Sequence, residues 1–138
     1  MKKLMFTLIA VSLLLLIGVG SMIALAETYL FRPGDALYAV QETAEFWQVR
    51  LADGEINRAD GALTVLDRRL IDLAEAENEW RLDVAVTAYD RALTEAVQCI
   101  ASVPETGQSP FNNRLQVTLK QTHVVIGALD TTVAETAV

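Results

Sequence analysis

The chain has 138 residues, 52% of them hydrophobic, with 18 acidic and 11 basic side chains and a formal net charge of −7 at pH 7. Lys2 and Lys3 precede an apolar run over 4–26, so the remainder sets 18 carboxylates against nine cationic side chains. That excess argues against nucleic acid, whose phosphates demand Lys/Arg surfaces, and the single cysteine, Cys99, excludes an intrachain disulfide.

The apolar run places everything after it. About 20 apolar residues rising ~1.5 Å each match a hydrocarbon core about 30 Å thick, so residues 1–26 are expected to enter a bilayer, permanently or during export. Lys2 and Lys3 before the run keep the positive flank inside, and the acidic remainder from Glu27 onward is delivered outside. Two readings stay open. A secretory leader needs a positive start, a short apolar block and a small-x-small site, and Ala24-Leu25-Ala26 supplies the last of these. A single-pass anchor needs length, and 19–26 continues apolar apart from Ser21. The expected address is the cell membrane with the C-terminal domain outside, or a secreted or periplasmic protein if cleavage follows Ala26.

Residues 27–35 read as a membrane-proximal turn, in which Pro33 and Gly34 punctuate and Asp35 is the expected N-cap. The domain proper is expected over 36–138. Its first helix, about 36–52, shows Leu37, Val40, Ala44, Trp47 and Leu51 as one stripe toward the core, widened by Tyr38, Phe46 and Val49. Asp53-Gly54 ends it. A second helix, about 55–76, carries Ile56, Ala59, Leu63, Leu66, Leu70 and Leu73 as a seam, with Arg68 and Asp72 as a surface pair. Gly61 weakens that helix by ~1 kcal/mol unless it permits a close crossing.

Asn78 is expected to cap a third helix over 79–102, with Leu82, Val86, Tyr89, Leu93, Val97 and Ile100 inward. The turn before it lets the two apolar faces meet antiparallel; without it, both helices would merge into one rod. Residues 104–110 read as a loop, and 112–134 as a last helix with Leu115, Leu119, Thr122, Ile126, Leu129 and Val133 inward. The fold class is therefore all-α: an N-terminal apolar membrane or signal helix, then an antiparallel bundle of three to four helices.

Chemistry-bearing patterns are thin. His123 is the only histidine, and Leu119, Lys120, Ile126 and Gly127 around it offer no carboxylate, so the residues nominate neither a base nor a nucleophile. Asp53-Gly54-Glu55-Ile56-Asn57 starts like a calcium loop, but Arg58 stands at its sixth position and Thr64 at its twelfth, where Gly and Glu are needed. Glu75, Glu77 and Glu79 read as solvated charge near a helix N-terminus. Trp47, Trp80 and Tyr89 read as core anchors before a ligand box. Cys99 reads as a buried small hydrophobe, with an intermolecular disulfide as the alternative. No catalytic, cofactor-binding or metal-binding residues are expected, and no cofactor.

One stretch carries a resemblance. Pro33-Gly34-Asp35-Ala36-Leu37-Tyr38, with Glu45 further on, resembles the Pro-Gly-Asp-x-Leu-Tyr motif of a bacterial extracytoplasmic helical domain family of unknown function. Some members of that family lie outside the membrane helix of anti-sigma-factor-like proteins. Arg68-Arg69-Leu70 with Leu73, Tyr89, and His123 with Leu129 are similar to its later helices, so the likeness covers about 33–133. The chain departs from the pattern at Gln41, where a basic residue is expected, and at Ala36 and Ala39, where proline is frequent. The resemblance implies a place and a fold, not a reaction.

The function expected is a non-enzymatic extracytoplasmic helical module for protein interaction or envelope sensing. The alternative is a small-ligand or cation-binding carrier of the cell envelope. Expected partners are the membrane, as anchor or export route, and another envelope or membrane protein; nucleic acid is not among them, and the oligomeric state stays open.

Overall fold

The computed structural model describes residues 2–28 and 31–136. Five helices account for its regular structure: α1 (Lys2–Thr28), α2 (Tyr38–Leu51), α3 (Glu55–Ala74), α4 (Glu79–Ser102) and α5 (Glu105–Thr136). The all-α class follows directly, and no strand occurs among the described residues.

Packing centres on α3. Leu63, Leu66, Leu70 and Leu73 are buried along its seam, while Ile56, at the frayed start, is left outside. Against them α4 presents Ala85, Ala88, Ala92 and Ala96, all buried, with Tyr89 and Ile100. Large side chains on one helix thus fill the shallow face of the other, and this is the most extensively packed pair among the described helices. This selects the face of α4 and corrects the expectation from periodicity: Val86 and Val97 point outward, each about half exposed. The turn between α3 and α4 exists, and Asn78 caps α4 as expected, its Oδ1 accepting from the Arg81 N–H at 2.9 Å.

The loop expected over 104–110 shrinks to Val103 and Pro104. Helix α5 begins at Glu105 and passes through Pro110. Proline there forfeits one backbone hydrogen bond to Thr106, but both residues are exposed, so water can serve that carbonyl. The inward face of α5 is also more polar than expected. Thr118 and Thr122 are buried while Leu119 and Ile126 are exposed; Phe111, Leu115 and Val125 complete the apolar contact. Hydrogen bonds explain the choice. Thr118 donates to Asp67 at 2.8 Å, Arg114 reaches Asp60 and Asp67, and the Tyr89 and Thr122 hydroxyls pair at 2.6 Å. Val133 lies outside the residues whose side chains are described.

Helix α1 has its own character. Side chains are described in it at 7–18, 20, 21 and 24, all exposed, and Leu8, Ile9, Leu13, Leu14, Leu15, Leu16 and Ile17 are each more than half uncovered. Among the described residues no helix is long and apolar enough to cross a membrane. The membrane or signal role of this helix therefore rests on the sequence alone. The backbone of α1 comes close to that of α2.

Candidate functional site: an ionic clasp and an open cleft beside it

Helix α2 turns the wrong way for its own periodicity. Its buried residues are Tyr38, Gln41, Ala44, Glu45 and Val49, whereas Leu37, Val40, Trp47 and Leu51 stand 42–74% exposed. An inward polar face must be matched by partners, because burying an unpaired charge is costly. Helix α3 provides them. Arg69, 1% exposed, sends one guanidinium nitrogen to Glu45 and the other to Asp72 at 2.9 Å. Gln41 donates to the second Glu45 oxygen at 3.2 Å and accepts from the Phe31 N–H at 3.0 Å. Arg68 reaches Glu45 from the edge at 3.4 Å.

Tyr38 closes the cluster. Its hydroxyl donates to Asp72 at 2.8 Å, and the Arg69 guanidinium lies over its ring, 5.1 Å from the centroid. Burial pushes the Tyr38 phenol far above its ordinary value, and Asp72 adds to the rise while Arg69 opposes it. Desolvation works against the charge on Arg69, yet Glu45, Tyr38 and Asp72 outweigh it and hold its proton more firmly than usual. Two cations face two carboxylates, and among the described residues no buried side-chain nitrogen or oxygen lacks a hydrogen-bond partner. A cluster so closed offers no reactive group to a substrate. Its work is to set the rotation of α2 about its own axis. Asp72, expected at the surface, is instead buried in this clasp.

The segment before α2 is fastened too. Gly34 has φ +93°, and a Cβ there would collide with the Trp80 ring. Arg81 donates to the Pro33 carbonyl at 3.0 Å and pairs with Asp35 at 3.4 Å, and Arg32 pairs with Glu77 at 3.5 Å. Asp35 does not cap α2. Its carboxylate accepts backward, from the Arg32 N–H at 2.8 Å, and the helix starts three residues later. The turn is thereby pinned to the α3–α4 connection.

Beside the clasp, α2 and α4 diverge and leave a cleft of about 530 Å³ floored by α3. Phe46, Trp47 and Val49 form one wall, Ala88 and Ala92 the other, and Ala62 and Val65 the floor. Two loose ion pairs span from α2 to α4, Glu42–Arg91 at 3.7 Å and Arg50–Glu95 at 3.8 Å. Phe46 and Trp47 meet edge to face at 5.7 Å, and the Arg50 guanidinium sits 4.7 Å over the Phe46 ring. Burial raises the Glu42 carboxyl above its ordinary value, more than Arg69 and Arg91 lower it. The cleft can hold an apolar or aromatic group with a polar end at its rim; a volume of this size lies within the usual range for ligand pockets.

Other residues singled out in the sequence do not gather. Trp47 lines the cleft, Trp80 packs on Gly34, and Tyr89 is in the core, so the three form no box. His123 is exposed on α5. Cys99 is half-buried beside the core, and burial, then Glu95, pushes its thiol up, which suppresses the reactive thiolate. Gly54, φ +82°, starts α3 where the calcium-loop likeness lies. Among the described residues no group of three or more His, Cys, Asp or Glu side chains could hold a metal ion. Apolar periodicity by itself does not reveal the clasp. Polar residues at helical spacing, Tyr38, Gln41 and Glu45 opposite Arg69 and Asp72, were the available signal.

No protein-family model, curated protein or solved structure matches this chain. Tyr38, Glu45, Arg68 and Arg69 converge in one cluster.

Proposed function

We propose that this chain is a non-enzymatic helical module of the cell envelope that grips another envelope or membrane protein in the cleft between α2 and α4. Residues 1–26 deliver it across the bilayer, as an anchor or as a leader removed after Ala26. The observation that carries the reading is the cleft itself: its apolar wall includes half-exposed Phe46 and Trp47, whereas the nearby charges of the clasp are already paired. Buried aromatic anchors dominate the energetics of protein interfaces, and here two stand ready at one opening. The motif resemblance supports the envelope location.

Replacing Phe46 with a photo-cross-linking phenylalanine analogue in cells tests the reading. A discrete adduct with one membrane or envelope protein is expected, and lost when Thr94→Arg, at an exposed position of the cleft lining, crowds the opening. Cross-linking that yields no adduct from Phe46 or Trp47 overturns it. Fractionation with N-terminal sequencing of the mature protein separates anchor from leader: intact Met1 in membranes, or a start at Glu27 in the soluble envelope fraction.

The pocket-sized volume and the rim carboxylates of Glu42 and Glu95 favour a second reading, a carrier of a small ligand or cation. A ligand that binds only the folded state raises its melting temperature by mass action. A thermal-shift screen of divalent cations and small organic cations that moves the wild type but not Thr94→Arg would favour this reading over the first.

A further inference from the structure

The outward stripe of α2 borders the cleft and shares Trp47 with its wall. Leu37, Val40, Trp47 and Leu51 are exposed by 49%, 42%, 50% and 74%, and their steps of three, seven and four residues keep them on one side of the helix. The exposed positions beside them, Ala36 and Thr43, carry no charge. The clasp fixes its direction: α2 cannot roll this face inward without expelling Glu45 and Gln41 from their partners on α3 and at Phe31. Helix α1, with its uncovered leucines, approaches α2.

We infer that α2 lies flat in the headgroup boundary of the bilayer, its Leu37/Val40/Trp47/Leu51 face against lipid and α1 entering the membrane beside it. This rests on the anchored form of the membrane reading above. Continuity with α1 decides for lipid over a second copy of the chain. A helix with one apolar and one polar face settles in this boundary with its apolar side sunk about 5–10 Å, and tryptophan favours that depth. The acidic excess of the domain selects zwitterionic lipid, since anionic lipid would repel it.

The full chain reconstituted in phosphatidylcholine vesicles tests this, in a Trp80→Phe background that leaves Trp47 as the only tryptophan. Expected are a blue-shifted Trp47 emission, a several-fold drop in quenching by aqueous acrylamide relative to a detergent-free fragment lacking residues 1–26, and strong quenching by lipids brominated near the headgroup. Val40→Glu with Leu51→Glu, both at exposed sites that leave the clasp intact, should return Trp47 to aqueous quenching while the chain still floats with the vesicles. A chain that floats with Trp47 fully open to acrylamide overturns the inference and leaves the anchor standing. A chain that fails to float overturns both. Protection from acrylamide without bromine quenching, accompanied by a cross-linked dimer, assigns the face to a second copy and overturns the lipid assignment.

Discussion

Arg69 is the residue on which the arrangement of α2 turns. A guanidinium supplies five donors in a rigid fork, and here the fork spans two helices, tying Glu45 of α2 to Asp72 of α3 under the ring of Tyr38. Removing it strands two buried carboxylates, so Arg69→Ala should cost about 3–5 kcal/mol, read as a lower urea midpoint. Conservative Arg69→Lys should recover only part of this, because an ammonium cannot serve both acceptors with the same geometry. Tyr38 makes a second prediction with a definite sign. Its folded-state phenol titrates far above the ordinary value of 10.0, so the unfolded chain loses that proton first. The stability it contributes is fully present below pH about 10 and falls as pH climbs beyond it. Urea midpoints measured between neutral and strongly alkaline pH should therefore drop more steeply in the wild type than in Tyr38→Phe. These side chains were legible as residues but not as a site: tyrosine, glutamate and arginine on helices ordinarily face water, and only the opposing helix reveals that they meet.

At the scale of the elements, the start of α4 and the middle of α3 permit direct tests. Asn78→Ala removes the acceptor for the Arg81 N–H and should lower stability by about 1 kcal/mol, seen as a shifted denaturation midpoint with unchanged far-ultraviolet shape. Gly61 was read as a weakness unless a close crossing needed it. A methyl there would sit 3.4 Å from Val49, which is contact without collision, so Gly61→Ala should gain about 0.5–1 kcal/mol from helix propensity. Element boundaries divide in an instructive way. The start of α4 follows from Asn78 because the cap acts over three residues. The start of α5 does not follow from Pro104 and Pro110, because proline near a helix N-terminus forfeits little and packing against α3 and α4 overrides it. The outward stripe of α2 is the sharpest divergence. Its spacing is a sound core signature, and the charge pairing with α3 outranks it.

For the whole molecule, cohesion is uneven. Helices α3 and α4 interlock leucine into alanine, while α2 is held by the ionic clasp and stands away from α4 across the cleft. Native-state hydrogen exchange should accordingly show α3 and α4 opening only with global unfolding and α2 opening at lower free energy; equal protection across all helices would contradict this. An α2 that opens at lower free energy would suit a module that admits a partner. The sequence by itself determined the all-helical class, the Asn78 cap and most of the buried seam of α3, because period, caps and breakers act within a few residues of chain. Tertiary structure alone decided which way α2 and α5 face, the convergence of Tyr38, Glu45, Arg69 and Asp72, and the opening between α2 and α4. Those depend on how distant charges and side-chain volumes match across helices, which no local pattern encodes.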